Sequence, residues 1–309
     1  MIVVDPGFEI QDELDQASLV IRLEACGRIC YKSEEKITKD SAMPFVKKIA
    51  EHGHNSVMEM AVVTLGVHCS SVQFDELLAL EPKYFFIDRS GDELLITGSV
   101  RSFRELYGRA AKTAVVEAMV AFQVTKHPYL FEGVWDGGSG QDISDVKVRK
   151  LAIAEVEELP PELVAKHRFC GVMFTVNRAV THEIVRHRPC SYLQESQRYC
   201  RYSQDKFGNQ VTFIKPMFYD EGTEEYALWQ QAMEDTEKIY LKLLESSTPQ
   251  AARTVLPNSC KTEIIVYCNL EEWKHIFKLR TSPAAEPSMR EVMIPLAKEL
   301  EGRYPAVLS

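Results

Sequence analysis

Apolar and polar positions change period along the chain, and the changes mark its elements. Residues 16–30 carry a helical apolar stripe, and residues 39–52 read as a second helix, capped by Asp40 or Ser41 and ended by Gly53. Residues 60–67 read as a buried strand, and residues 83–97 as a hairpin turning through Asp88-Arg89-Ser90-Gly91. One long helix is predicted from about 100 to 124, stopping before His127-Pro128. Residues 130–145 read as a flexible connector. Residues 146–160 are charged and end in Pro160-Pro161, and the span from the glycine-rich Asp136–Gly140 to that Pro-Pro pair is the best candidate for a mobile or inserted region. Residues 168–176 read as a strand feeding an apolar-periodic helix, Phe174 to Val185. Pro189 closes it, because proline disfavours helix in the residue before it. Val211–Ile214 is a short strand and 221–247 a long amphipathic helix. Residues 261–268 form a strand, Asn269 is placed to cap the helix running to Arg280, and a last helix spans 286–302. No segment repeats another. Helices interspersed with strands argue for an α/β or α+β fold.

Composition narrows the function. At 309 residues, 45% hydrophobic and 26% charged, the chain can build an ordinary core. Its formal charge of −9 argues against non-specific binding to nucleic acid. No apolar run is long enough to span a membrane, and the N-terminus lacks a signal-peptide pattern. The 8 cysteines include no Cys-x-x-Cys spacing, so reduced thiols in a cytoplasmic protein are expected, with no structural zinc.

Against that acidic background, residues 182–203 concentrate Arg186, Arg188, Arg198 and Arg201 with His182 and His187. Such a patch suits an anionic ligand. A helix end that merely complements its dipole would look similar. Polar side chains follow, from Ser191 to Ser203, and suit directed hydrogen bonds to phosphate. His52, His54 and Glu59 lack the His-Glu-x-x-His spacing of a helical zinc site, and the simplest reading is a polar turn. Ser196 reads as a binding hydroxyl, since a nucleophile needs an adjacent base. Cys190 and Cys200 read as packed thiols.

The order Arg186-His187-Arg188, seven residues, then Ser196, with Ser191, Arg198 and Tyr199 around it, resembles the signature of flavin-dependent thymidylate synthases. His54-x-Ser56-x-x-Glu59 is similar to a second block of that family. Arg253-x-x-Leu256-Pro257, Asn269, Phe277-x-Leu279-Arg280 and Ala285-Glu286 are similar to a third. The resemblance implies a single domain over 1–309, with a central, mostly antiparallel sheet flanked by helices and an atypical insertion at about 68–166. It implies methylation of dUMP to dTMP with FAD as cofactor, methylenetetrahydrofolate as carbon donor and NADPH as reductant. No enzyme nucleophile and no metal are implied. Homotetramers with sites shared between subunits are expected, without nucleic-acid or membrane partners.

By the same resemblance Arg280 and Ser196 carry the catalytic roles, and Glu183, Arg186, Gln194, Gln197, Arg198 and Arg253 join them around dUMP. His54, Ser56, Glu59, Arg186, His187, Arg188, Ser191, Asn269 and His275 fall on the flavin. The chain departs from the family at Leu193 and Gln194, where Asn then Glu is usual, and at Glu271 and His275, where Arg and Asn are expected. These departures keep two alternatives open: a diverged flavin and pyrimidine-nucleotide enzyme with other C5 chemistry, and a nucleotide-binding module without turnover.

Overall fold

A computed structural model of the chain describes residues 1–109, 112–204 and 207–309. It opens with two short strands, β1 (Ile2–Val4) and β2 (Gly7–Ile10), and helices α1 (Asp12–Gln16), α2 (Leu19–Ile29) and α3 (Ala42–Glu51). Then come β3 (Val62–His68), α4 (Ser71–Ala79), the hairpin β4 (Phe85–Ser90) and β5 (Glu93–Ser99), α5 (Val100–Tyr107) and α6 (Ala114–Lys126). β6 (Lys147–Lys150), α7 (Ile153–Glu157) and α8 (Pro161–His167) lead to β7 (Phe169–Asn177), α9 (Arg178–Ile184), β8 (Ser191–Gln194) and β9 (Thr212–Ile214). The chain finishes with α10 (Glu224–Leu244), α11 (Pro249–Ala252), β10 (Lys261–Asn269), α12 (Leu270–Arg280), α13 (Pro287–Arg303) and α14 (Pro305–Leu308).

The strands form two four-stranded antiparallel sheets, ordered β2-β7-β10-β8 and β4-β5-β3-β6, besides a parallel β1-β9 pair. The mixed, mostly antiparallel class is as expected, with two main sheets in place of one. β7 and β10 are apolar on both faces because each face meets a core. Val172, Phe174, Val176, Ile264 and Val266 pack with Trp273 of α12 and Met293 of α13. Met173, Ile265 and Tyr267 face the larger core shared with the second sheet and α2, α5 and α6. Trp273 is fully buried; truncating such a side chain costs about 3–5 kcal/mol.

Three sequence expectations change. The helix expected from Phe174 begins at Arg178, because Val172–Val176 is strand and the Asn177 side chain caps α9 by accepting from the Val180 N–H. The helix expected over 100–124 is two helices; Gly108 ends α5 and Thr113 caps α6. The stretch at 146–160 holds β6 and α7.

The two sheets also repeat one another. β3, α4, β4, β5, α5 and α6 follow in the order of β7, α9, β8, β10, α12 and α13, with β9, α10 and α11 interposed between β8 and β10. In both sheets the first strand of the unit (β3 or β7) lies between an edge strand from outside it (β6 or β2) and the unit's last strand (β5 or β10), which carries the middle strand (β4 or β8) on its far side. Both last strands run straight into a helix through a polar cap. Ser99 accepts from Ser102 and Asn269 from Glu272, and these caps pair with Val62 and Phe169, the first residues of β3 and β7. The edge strands are exchanged. β2 precedes the first unit yet completes the sheet of the second, and β6 precedes the second yet completes the first. Even the hydrogen bonds beyond these edges correspond: Gln11 N–H to the Gly171 carbonyl, and Leu151 N–H to the Thr64 carbonyl, both 2.9 Å. The repeat therefore exists in backbone topology although none is visible in side-chain identity.

Candidate functional site

The C-terminal turn of α12 and the exit of α9 meet at Arg280. Its Nε donates to His187 Nε2 at 3.0 Å, Nη1 to Glu183 Oε2 at 2.8 Å, and Nη2 to the Glu183 carbonyl at 3.1 Å. A guanidinium has five N–H donors, so this clamp leaves some free for a ligand while fixing the plane of the group. His187 is buried. Burial, then Arg280 and His275, lower its pKa to about 4, so the imidazole is neutral at neutral pH. Its Nδ1 faces Glu272 Oε1 at 3.5 Å. Burial raises the Glu272 carboxyl, and Oε1 is enclosed without a hydrogen-bond partner.

His187, Glu272 and His275 each bring one potential ligand atom within 4.8 Å of the others. Nε2 of His187 already accepts from Arg280, which leaves the ring proton on Nδ1 and closes that nitrogen to a metal. Sequence reasoning missed Glu272. Asn269-x-x-Glu272 reads as an ordinary helix start, and nothing in spacing announces that its carboxylate will meet His187.

Arg186 and Arg188 flank His187 in the sequence, and Arg198 and Arg253 add further cations. Arg186, Arg188 and Arg198 are exposed and Arg253 is half-buried, and among the described residues none has a carboxylate partner. Arg198 lies over the Tyr199 ring, 5.5 Å from its centroid. Ser196 is held by its N–H on the Cys30 carbonyl at 3.0 Å, and its hydroxyl accepts from the Arg198 N–H at 3.3 Å. Among the described residues no titratable side chain is bonded to that hydroxyl, which suits binding over nucleophilic attack. Gln197 is buried with its amide nitrogen unpartnered. Ser191 is half-buried on β8. Cys190 and Cys200 are buried, and the Cys200 thiol lies 3.9 Å from the Cys30 carbonyl oxygen.

Several expected contacts are spent on the fold. Gln194 donates to Thr181 and Thr262 at 3.1 and 3.2 Å. Asn269, 3% exposed, caps α12 with Oδ1 and donates from Nδ2 to the Lys166 carbonyl at 3.0 Å. Leu193 is buried in the larger core. Glu195 is buried between Tyr202, which donates to it at 2.7 Å, and Lys261 at 3.2 Å. His275 is exposed on α12 and within ring contact of His187.

The block at His54 stands apart. His54 and Ser56 are exposed beyond α3, and Glu59 is paired with Arg101 of α5 at 2.5 Å. Among the described residues no hydrogen bond, ion pair or ring contact joins this block to the Arg280 cluster.

The sequence matches the profile of the thymidylate synthase complementing protein family over residues 18–79 and 160–306. The chain belongs to this family. The family profile passes over residues 80–159, the stretch that carries β4, β5, α5, α6, β6 and α7. Among relatives named flavin-dependent thymidylate synthase, that of Pyrococcus furiosus is 33% identical over 173 residues, 55% of this chain and 70% of its own. The Pyrococcus abyssi protein is 37% identical over 128 residues, 41% and 52% respectively. The Corynebacterium efficiens protein is 30% identical over 148 residues, 43% and 57%. The family segments include every residue from His54 to Glu59 and from Glu183 to Arg280 considered above.

Proposed function

We propose that the chain methylates dUMP to dTMP, with methylenetetrahydrofolate as carbon donor, FAD as cofactor and NADPH as reductant. The observation that carries this reading is the Arg280 clamp, fixed by Glu183 and His187, in a chain that belongs to the family. The dUMP phosphate falls to Arg198 and Arg253, with Ser196 and Gln197 as neutral donors. A planar guanidinium recognises phosphate oxygens through paired N–H groups. Arg280, locked by Glu183 and His187, meets the uracil ring. Its remaining N–H groups stabilise negative charge developing at the carbonyl edge without having to reorganise.

The residues present fit a flavin dinucleotide. Arg186 and Arg188 supply exposed cations for its diphosphate, neutral His187 and exposed His275 offer ring edges, and His54 and Ser56 offer donors. When bound, the flavin supplies the hydride. Asn269 and Gln194, committed to the fold, act by shaping the site. Because the His54 block and the Arg280 cluster share no contact among the described residues, we assign them to one site built across a homotetramer interface. The enzyme is read as a cytoplasmic one; no helix of the described residues is long and apolar enough to cross a membrane.

The test is the visible spectrum of the purified protein. A flavin band perturbed by dUMP, with dTMP formed when folate and NADPH are added, supports the reading. A colourless protein that neither takes up FAD nor makes dTMP would sink it. The departures at Leu193 and Gln194 favour one alternative, other chemistry at C5. Flavin and dUMP binding without release of tritium from C5 would establish that alternative.

A further inference from the structure

A cavity of about 480 Å³ lies between the two four-stranded sheets. Its wall comes from both. Thr64 of β3 and Lys150 of β6 come from one sheet, Phe169 of β7 and Tyr267 of β10 from the other, and Asp15 and Arg22 from α1 and α2 ahead of both. Tyr267 sits on the face of β10 opposite Trp273, so the cavity and the α12 side of the sheet are separated by the sheet itself. Clefts of a few hundred Å³ between domains are usual places for small ligands.

The charges on this wall do not cancel. Asp15 lies between two guanidinium groups, bonded to Arg22 at 3.1 Å and Arg168 at 3.0 Å, and Arg168 also reaches Glu157 at 2.7 Å. Arg22 also donates to the Tyr267 hydroxyl. His167 is neutral: burial lowers its pKa, and its ring nitrogens engage Thr97 and Asp88. Three cations thus face two carboxylates, and the one without a partner among the described residues is Lys150. It is exposed through the cavity mouth, while the surrounding protein, Arg22 and Lys126 push its pKa down. The remaining wall is largely apolar, with Leu19, Val62, Leu151, Val156 and Phe169. A seam built only for stability gains nothing from gathering cations, whose desolvation is costly.

We propose that this cavity is a second ligand site, taking a small anion with an apolar body, a carboxylate or phosphate monoester, with Lys150 as its counter-charge. The stretch absent from the family profile thereby acquires a task, because β6 and α7 provide Lys150 and the roof over it. The site is independent of dUMP chemistry.

The probe is 8-anilinonaphthalene-1-sulfonate, an apolar anion whose fluorescence rises on burial. It is titrated into the full chain after FAD and dUMP are added to saturate the other face. One site per chain is expected. Lys150→Met should weaken it by roughly tenfold or more, the worth of one charged hydrogen bond. Lys147→Met, on the same strand outside the cavity, should leave it unchanged. Ala17→Phe, which fills the wall, should abolish it. Displacement by phenyl phosphate but not benzoate identifies a phosphate ligand, and the reverse a carboxylate. Equal affinity in wild type and Lys150→Met, or equal displacement by phenol, overturns the proposal. A protein that binds no flavin still gives this readout, so the two proposals fail separately.

Discussion

Arg280 donates through Nε to Nε2 of His187 across 3.0 Å, so an always-charged guanidinium rests on a ring that must stay neutral to receive it. Replacing Arg280 with Ala removes both the clamp and its aim. We expect dTMP formation to fall by about 10²–10³-fold, in the range seen when a preorganised donor is lost. Arg280→Lys should not rescue, since an ammonium cannot serve His187 and Glu183 in one plane. Steady-state turnover checks this, and near-wild-type rates in either variant would refute the role.

The same contact sets a pH dependence. Folded His187 titrates near 4, against 6.5 for the free side chain. Between those values the unfolded chain takes up a proton that the folded chain refuses. The stability held by the neutral ring is therefore complete above about pH 6.5 and drains away as pH falls toward 4, by ~3 kcal/mol at most. Urea unfolding at pH 7 and pH 4.5 should show a smaller loss in His187→Gln than in wild type. Equal losses would mean the ring is not held neutral.

Arg198 has an exposed side chain and no acidic partner among the described residues, so its removal should disturb the ligand and little else. Arg198→Ala is expected to weaken dUMP binding by roughly 10- to 100-fold, as for a lost charged hydrogen bond. Affinity for deoxyuridine, which lacks the phosphate, should hardly change. Calorimetry on both ligands decides; parallel losses would move Arg198 off the phosphate.

Asn269 gives a contrasting case. Asn269→Ala loses the cap of α12 and strands the Lys166 carbonyl, which should cost about 1–2 kcal/mol of stability. FAD affinity below the melting range should be retained. Loss of flavin at unchanged stability would restore Asn269 as a direct flavin contact.

A site shared between copies makes a further prediction. Arg280→Ala and His54→Ala chains, each inactive alone, should regain turnover when mixed and allowed to exchange subunits. Persistent inactivity after confirmed exchange would place both residues in a site built from one chain.

The sequence made the C-terminal half readable for a plain reason. The run Ile264–Cys268 is apolar on both faces, Asn269 is a strong cap, and the helix beyond it keeps its period. It misled at Phe174, because a strand buried on both faces and a buried helix look alike until Asn177 caps the turn. The signature arginines were legible as charge in an acidic chain. Glu272 and the engagement of Gln194 were not, since both depend on which strands become neighbours. The repeat escaped for a related reason. Where the second unit has Arg186-His187-Arg188 after its cap Asn177, the first has Ala79-Leu80-Glu81 after Ser70. The backbone plan persists without the chemistry that would have advertised it.

The exchange of β2 and β6 also governs how the chain comes into being. Gly7 pairs with Thr175 and Ile10 with Val172, so β2 leaves the ribosome well before the strand it pairs with, which lies far behind it in the chain. Non-local pairing of this kind is slow to form. Until β7 emerges, β2 is an unpaired edge, open to a second nascent chain at the same stage. Two chains stalled there can exchange strands with each other as readily as one chain can with itself. Strand-swapped dimers, growing with expression level, are the misassembly this topology invites.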